Sequence, residues 1–174
     1  ILSPSHETIL EAGRRLDASL VALNLTDKPS HRLDLSFPEA GRFRHLGLEF
    51  RADGSVGLSR DKSRKICNLF RYAFRRRRAG ILRRRTPLER ARLAIEIAQQ
   101  TIQKGVRNVA IIDYYLKHVD DEDQLRLIDR WLAEEVLSLA LGGGHRKSHF
   151  RKISFAELRR LGLPSLVHRS RLLC

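Results

Sequence analysis

The spacing of apolar residues changes along the chain, and each change predicts a different element. Between Ser5 and Leu23, Ile9, Leu10, Gly13, Leu16 and Leu20 fall on one face at helical spacing. This predicts a helix from about His6 to Leu23 with those residues inward, opened by the turn chemistry of Ser3-Pro4-Ser5. Ile1-Leu2 reads as the end of a strand. Asp27-Lys28-Pro29-Ser30 breaks the helix. His31–Phe37 alternates weakly, with Leu33, Leu35 and Phe37 on one side, which predicts a strand closed by the turn Pro38-Glu39-Ala40-Gly41. Residues 41–50 alternate with period two and read as one strand carrying Leu46-Gly47 at its centre. Arg51-Ala52-Asp53-Gly54 then turns the chain into a second strand, Ser55–Ser59.

From Ser59 onward the period is helical. Ile66, Leu69, Phe70, Ala73 and Phe74 make one apolar stripe, with Asn68, Arg71, Arg75 and Arg78 assigned to the opposite face. Ala79-Gly80 weakens the end of that helix. Thr86-Pro87-Leu88-Glu89 combines a capping box with proline at the first helical position. The helix it opens points Leu88, Ala91, Ile95, Ala98 and Ile102 inward and stops at Gly105. Residues 107–119 are apolar on most sides and predict a central helix. Asp120–Asp123 opens another, with Leu125, Ile128, Leu132, Val136 and Leu139 inward and Gly142-Gly143-Gly144 at its end. His145–Lys152 reads as a basic loop. A second capping box, Ser154-Phe155-Ala156-Glu157, opens a short helix that stops at Gly162.

The predicted class is α+β: a small αβ part with a β-hairpin, then a mainly helical bundle of four or five helices. The expected divisions are 1–58, 59–144 and a basic C-terminal tail, 145–174.

Charge sharpens this division. The chain has 174 residues and a formal net charge of +14. Residues 59–85 hold 12 basic and 1 acidic side chain, and residues 145–174 hold 8 and 1, whereas residues 1–58 and 86–144 are net −1 and −3. Two basic blocks flanking a mildly acidic one argue for a directed polyanion-binding surface. Cys67 and Cys174, the only cysteines, form no disulfide framework, so a reducing, cytoplasmic setting is expected. No apolar run is long enough to span a membrane, and no signal peptide is visible. The chain lacks methionine and begins Ile-Leu-Ser, which suggests an internal piece of a longer protein.

Several residues invite chemistry. Gly47, beside Leu46, admits close approach of a ligand to the backbone. Arg64, Arg71, Arg75 and Arg78 share a helix face and suit a phosphate backbone, because like charges at that spacing destabilise a helix unless a partner neutralises them. Arg146, Lys147, Arg151 and Lys152 suit phosphate contact in the expected loop. His145 and His149, four apart, have no paired cysteine nearby to make a zinc site. Asp120-Asp121-Glu122-Asp123 matches helix N-terminal chemistry better than a metal site. Trp131 reads as core, and the scarcity of aromatics argues against a base-stacking platform.

In order, these parts resemble the reverse-transcriptase superfamily, closest to its retron-like, group II intron-like and phage-defence bacterial types. Ile1-Leu2 resembles the strand leaving the Tyr-x-Asp-Asp hairpin, and Ser3–Ala12 the helix after it. Leu23-Asn24-Leu25-Thr26-Asp27-Lys28-Pro29-Ser30 is similar to a segment written Leu-Gly-Leu-x-Leu-Asn-x-x-Lys-Ser. His45-Leu46-Gly47 resembles the Phe-Leu-Gly primer grip, with His45 where phenylalanine is usual. Residues 60–140 resemble the thumb, and 150–166 resemble tails of bacterial members. The resemblance implies a remnant of palm with primer grip at 1–58, then a thumb. The implied activity is RNA-directed DNA synthesis, with RNA template and DNA primer as partners alongside other polymerase segments or associated subunits. The primer end would be held by Arg44, His45, Leu46 and Gly47, and a general-acid role is open to Lys28. Tyr-x-Asp-Asp is absent, so Mg²⁺ would be held by carboxylates outside this chain and the chain alone would be inactive. Thumb and grip would hold the wide, shallow minor groove of an RNA–DNA hybrid. Two other classes fit the residues: a stand-alone basic helical nucleic-acid-binding module, and a helical scaffold for an acidic protein.

Overall fold

The computed structural model describes residues 5–25, 42–51, 53–104 and 111–173. It divides into two compact units, split between residues 39 and 40. Lys28, the strand expected at His31–Phe37, the end of the helix expected at Gly105 and Cys174 lie outside the described residues.

In the first unit, α1 (His6–Ala22) starts where Ser5 Oγ accepts the Thr8 N–H. Its expected inward face is not buried: Ile9, Leu10 and Leu16 are exposed. The helical period was legible, but a period alone does not supply a covering surface.

The second unit opens with a three-stranded antiparallel meander: β1 (Arg42–His45), β2 (Leu48–Arg51) and β3 (Val56–Leu58), in that spatial order. Residues 41–50 are therefore not one strand. His45 pairs with Leu48, and Leu46 and Gly47 form the two-residue turn between them, at φ 49° and 88°. Positive φ at both central residues is the type I′ pattern, whose twist matches the flanking strands. Leucine is a poor occupant of the first position, which hid the turn in the sequence.

The pleat sorts the side chains of the sheet. Leu48, Phe50, Val56 and Leu58 share the core-facing side, where Leu48 and Leu58 are buried and Phe43 stacks on Phe50 at 4.7 Å. Arg42, Arg44, Glu49, Arg51 and Gly57 occupy the other side. The β3 edge is closed by Asp120 and by Gln124 in the first turn of the helix that follows it. Asp120 Oδ1 accepts the Val56 N–H at 2.7 Å. Gln124 accepts the Leu58 N–H at 2.6 Å and donates to the Leu58 carbonyl at 2.8 Å. Saturating an edge in this way removes its unpaired backbone groups.

The helices are α2 (Arg60–Leu82), α3 (Pro87–Lys104), α4 (Ile111–Leu116), α5 (Glu122–Leu141), α6 (His149–Lys152), α7 (Phe155–Arg160) and α8 (Leu166–Leu173). Both capping boxes form. Thr86 Oγ1 accepts the Glu89 N–H while Glu89 accepts the Thr86 N–H, and Ser154 and Glu157 repeat the exchange. One core joins the sheet to the helices through Ile66, Phe70, Phe74, Ile95, Leu132 and Leu158. Each such fully buried side chain contributes about 1.5–3 kcal/mol by leaving water. Leu88, expected inward, is exposed at the first turn of α3, before that helix reaches its neighbours.

Residues 145–174 do not form an open tail. The stretch read as a basic loop, His145–Lys152, ends in the helix α6, and His149 is buried. Leu158, Leu163 and Leu166 join the core, and Ser170 donates to the Leu116 carbonyl. The helix α8 lies beyond the stop expected at Gly162 and has no counterpart among the elements predicted from the sequence pattern. Asp129 holds that corner: it accepts the Leu166 N–H and the Ser165 hydroxyl, both at 2.7 Å. Among the described residues no helix is long and apolar enough to cross a membrane.

Candidate nucleic-acid interface

The helix α2 carries nine basic and one acidic side chain over 23 residues, and Arg83-Arg84-Arg85 extends the series into the turn. Four apolar anchors, Ile66, Phe70, Phe74 and Ile81, fix which face is turned inward. Arg64 and Arg75 to Arg78 are left exposed, and none of them has a carboxylate partner among the described residues. Arg76 lies over the exposed Tyr72 ring, 5.9 Å from its centroid. At 100° per residue Arg64, Arg75 and Arg78 share one face and form an exposed, uncompensated cationic strip, while Arg76 and Arg77 stand on other sides of the helix.

Arg71 departs from this pattern. Its Nε donates to Glu135 Oε1 at 3.2 Å, and its guanidinium sits 5.1 Å from the Trp131 ring centroid. At 100° per residue Arg71 shares the face of Arg64, Arg75 and Arg78, but at its level on the helix that face meets α5, which supplies Glu135 and Trp131. The condition attached to the four arginines, that nothing nearby neutralises them, holds for Arg64, Arg75 and Arg78 and fails for Arg71. Trp131 itself packs against Phe70 at 6.4 Å, half-buried.

The hairpin arginines are also paired. Glu49 is buried and gathers Arg44 at 3.2 Å, Arg42 at 3.6 Å and Arg51 at 3.9 Å. Arg51 reaches Asp121 at 2.6 Å by lying over Gly57, where a Cβ would stand 3.0 Å from the guanidinium. Burial raises the Asp121 pKa, but the Gln124 N–H and the Arg51 guanidinium outweigh it and hold the carboxyl below its ordinary value. Arg44 is therefore part of the sheet's own charge balance. His45 and Leu46 are exposed at the hairpin tip. Gly47 lies against Lys62, and its carbonyl accepts the Ser59 N–H at 2.9 Å.

Of the C-terminal candidates, Arg146 donates to the Gly143 carbonyl at 3.0 Å, while Lys147, Arg151 and Lys152 are exposed. His145 faces Glu134 and Glu135 at 3.4 and 3.5 Å. Burial, then the charges of Arg146, Lys152 and His145, hold His149 below its ordinary pKa. No group of three or more His, Cys, Asp or Glu suited to a metal occurs among the described residues. The acidic run has other work: Asp120 binds β3, Asp121 caps α5 and Glu122 and Asp123 pair with Arg126. These carboxylates do not fit a magnesium site.

Fold and surface thus define an α+β domain with a cationic helix face. Compared with protein-family models, curated proteins and solved structures, the chain matches none.

Proposed function

We propose that this chain holds a nucleic-acid backbone, as the template–primer-binding part of an RNA-directed DNA polymerase. In this reading the hairpin is the primer grip and α2 to α5 are the thumb. The observation that carries it is the strip formed by Arg64, Arg75 and Arg78, exposed and without carboxylate partners among the described residues. Guanidinium groups held this way on a helix meet phosphate oxygens by bidentate hydrogen bonds and position a duplex without reading its sequence. Support for a polymerase, as opposed to a simple binder, comes from the order of the sequence motifs and from the exposed Leu46 tip fastened directly ahead of α2. The described residues offer no magnesium site, so no catalytic step is assigned to them.

The binding half is tested by titrating an RNA–DNA template–primer at several salt concentrations. Log affinity should fall by about 0.9 per phosphate neutralised for each unit of log salt. A flat salt response removes the reading. The polymerase half is tested by the reading frame ahead of Ile1: an in-frame Tyr-x-Asp-Asp supports it, and a start codon at that point leaves only the stand-alone binding module.

A further inference from the structure

Away from the α2 strip, a cleft of about 310 Å³ opens between α5, α7 and α8. Arg126 and Arg130 of α5, Arg159 of α7 and Arg171 of α8 line it, with Phe155 on one wall. Arg126 and Arg130 project from the side of α5 turned away from Trp131 and Glu135, so this surface is separate from the Arg71 contact. We infer that the cleft binds a nucleoside phosphate, its phosphate among the arginines and its base against Phe155.

Three observations point to a built site. First, four guanidiniums from three helices face one lining carboxylate, and that carboxylate is occupied: Asp129 accepts the Ser165 hydroxyl and the Leu166 N–H. Second, Glu122 holds Arg126 and Arg171 side by side, at 2.9 Å and 2.6 Å. A guanidinium has five N–H donors, so this clamp orients both forks and leaves donors over. The outer pairs, Arg126 with Asp123 and Arg130 with Glu134, are surface contacts that a phosphate can outcompete. Arg159 makes no salt bridge among the described residues, and its charge acts on Asp129 only through space. Third, Phe155 is 40% exposed although it opens a helix whose Leu158 is in the core. A planar apolar wall beside convergent cations, at the small end of the size range of ligand pockets, matches a base joined to a phosphate.

The phosphate has two possible sources, a free nucleotide or the terminal nucleotide of a strand. Calorimetric titration of the purified chain should therefore use ATP, AMP, inorganic pyrophosphate and a short 5′-phosphorylated oligonucleotide. Saturable binding of ATP or AMP is expected. Arg159→Gln should weaken it about tenfold with an unchanged melting temperature, since the hydrogen bonds lost are to a charged group. Phe155→Ala should weaken AMP and leave pyrophosphate unchanged. Replacing Arg75 and Arg78 by Gln should leave all of these affinities unchanged. Tighter binding of the oligonucleotide than of AMP, still sensitive to Arg159→Gln, assigns the site to a strand terminus; equal binding assigns it to free nucleotide. No saturable binding at millimolar ligand overturns the inference. So does pyrophosphate binding as tightly as ATP with Phe155→Ala silent, or a loss that follows Arg75 and Arg78 instead of Arg159.

Discussion

The hairpin and α2 use arginine in opposite ways. On the sheet, Arg42, Arg44 and Arg51 surround a buried Glu49, and Arg51 continues to Asp121. On α2, Arg75 to Arg78 stand exposed with no carboxylate beside them among the described residues. The two sets look alike in a charge count. What separates them is the position of acids in the fold: the strand register sets Glu49 across from Arg44, whereas the sequence near Arg75 to Arg78 supplies no acid on α2 beyond Asp61 in its first turn. Arginine pinned to a buried carboxylate contributes to stability, and arginine left bare or paired only at the surface is available to a polyanion.

The comparison can be broken first at the hairpin turn. Gly47→Val forces a β-branched side chain to φ 88° and against Lys62. Lys62 is flexible and can move, but the backbone cannot, so a loss of about 2 kcal/mol or more is expected in chemical denaturation. A variant as stable as the parent would show that the turn is not type I′ in solution.

Glu49→Gln is the next largest. It leaves three arginines around a neutral group and should cost about 1–2 kcal/mol, less than a fully buried ion pair because the arginines are partly exposed. Urea midpoints of the parent and the variant measure it. Added salt should narrow the gap by screening the arginines from one another, and a gap that widens with salt would contradict the role given to Glu49.

Asp121→Asn isolates the other end of the hub. The folded-state pKa of Asp121 is depressed below the ordinary 3.8, so its contribution is present above that value and lost as pH falls through the depressed pKa. The melting temperatures of parent and variant should differ at pH 6 and converge in strong acid. A constant difference would assign the effect to hydrogen bonding alone.

The smallest stability effect is expected on α2. Replacing Arg75 to Arg78 by Gln should change unfolding free energy by about 0.5 kcal/mol or less, and by relief of repulsion the sign should favour the variant.

The helical frame was legible in the sequence but the contrast between the two arginine sets was not, since Arg44 reads there as a ligand contact like the arginines of α2. Helix starts announced themselves wherever a side chain caps locally, as at Thr86, Asp121 and Ser154, because both partners lie within four residues. The acidic run was legible as helix-start chemistry for the same reason. Long-range partners were not. The pairing of Arg71 with Glu135 spans 64 positions, and Asp129 reaches Ser165 across 36. The Leu46-Gly47 turn did leave a trace: Phe43 and Phe50 are equidistant from it, as are Arg42 and Arg51, the mirror symmetry of a hairpin. Alternation was read straight through that symmetry because leucine seldom sits at positive φ. The helix α8 left Leu166 and Leu173 two turns apart, too short a run to outweigh the stop at Gly162.

The most direct test of the central claim is a paired salt titration. Template–primer affinity is measured from low to moderate salt for the parent, for a variant with Arg64, Arg75 and Arg78 changed to Gln, and for one with Arg42 and Arg44 changed to Gln. The account predicts that the α2 variant loses about three units of slope, close to one per phosphate contact removed, while the hairpin variant keeps the parental slope. A parental slope in the α2 variant, or an equal loss in both, would contradict it.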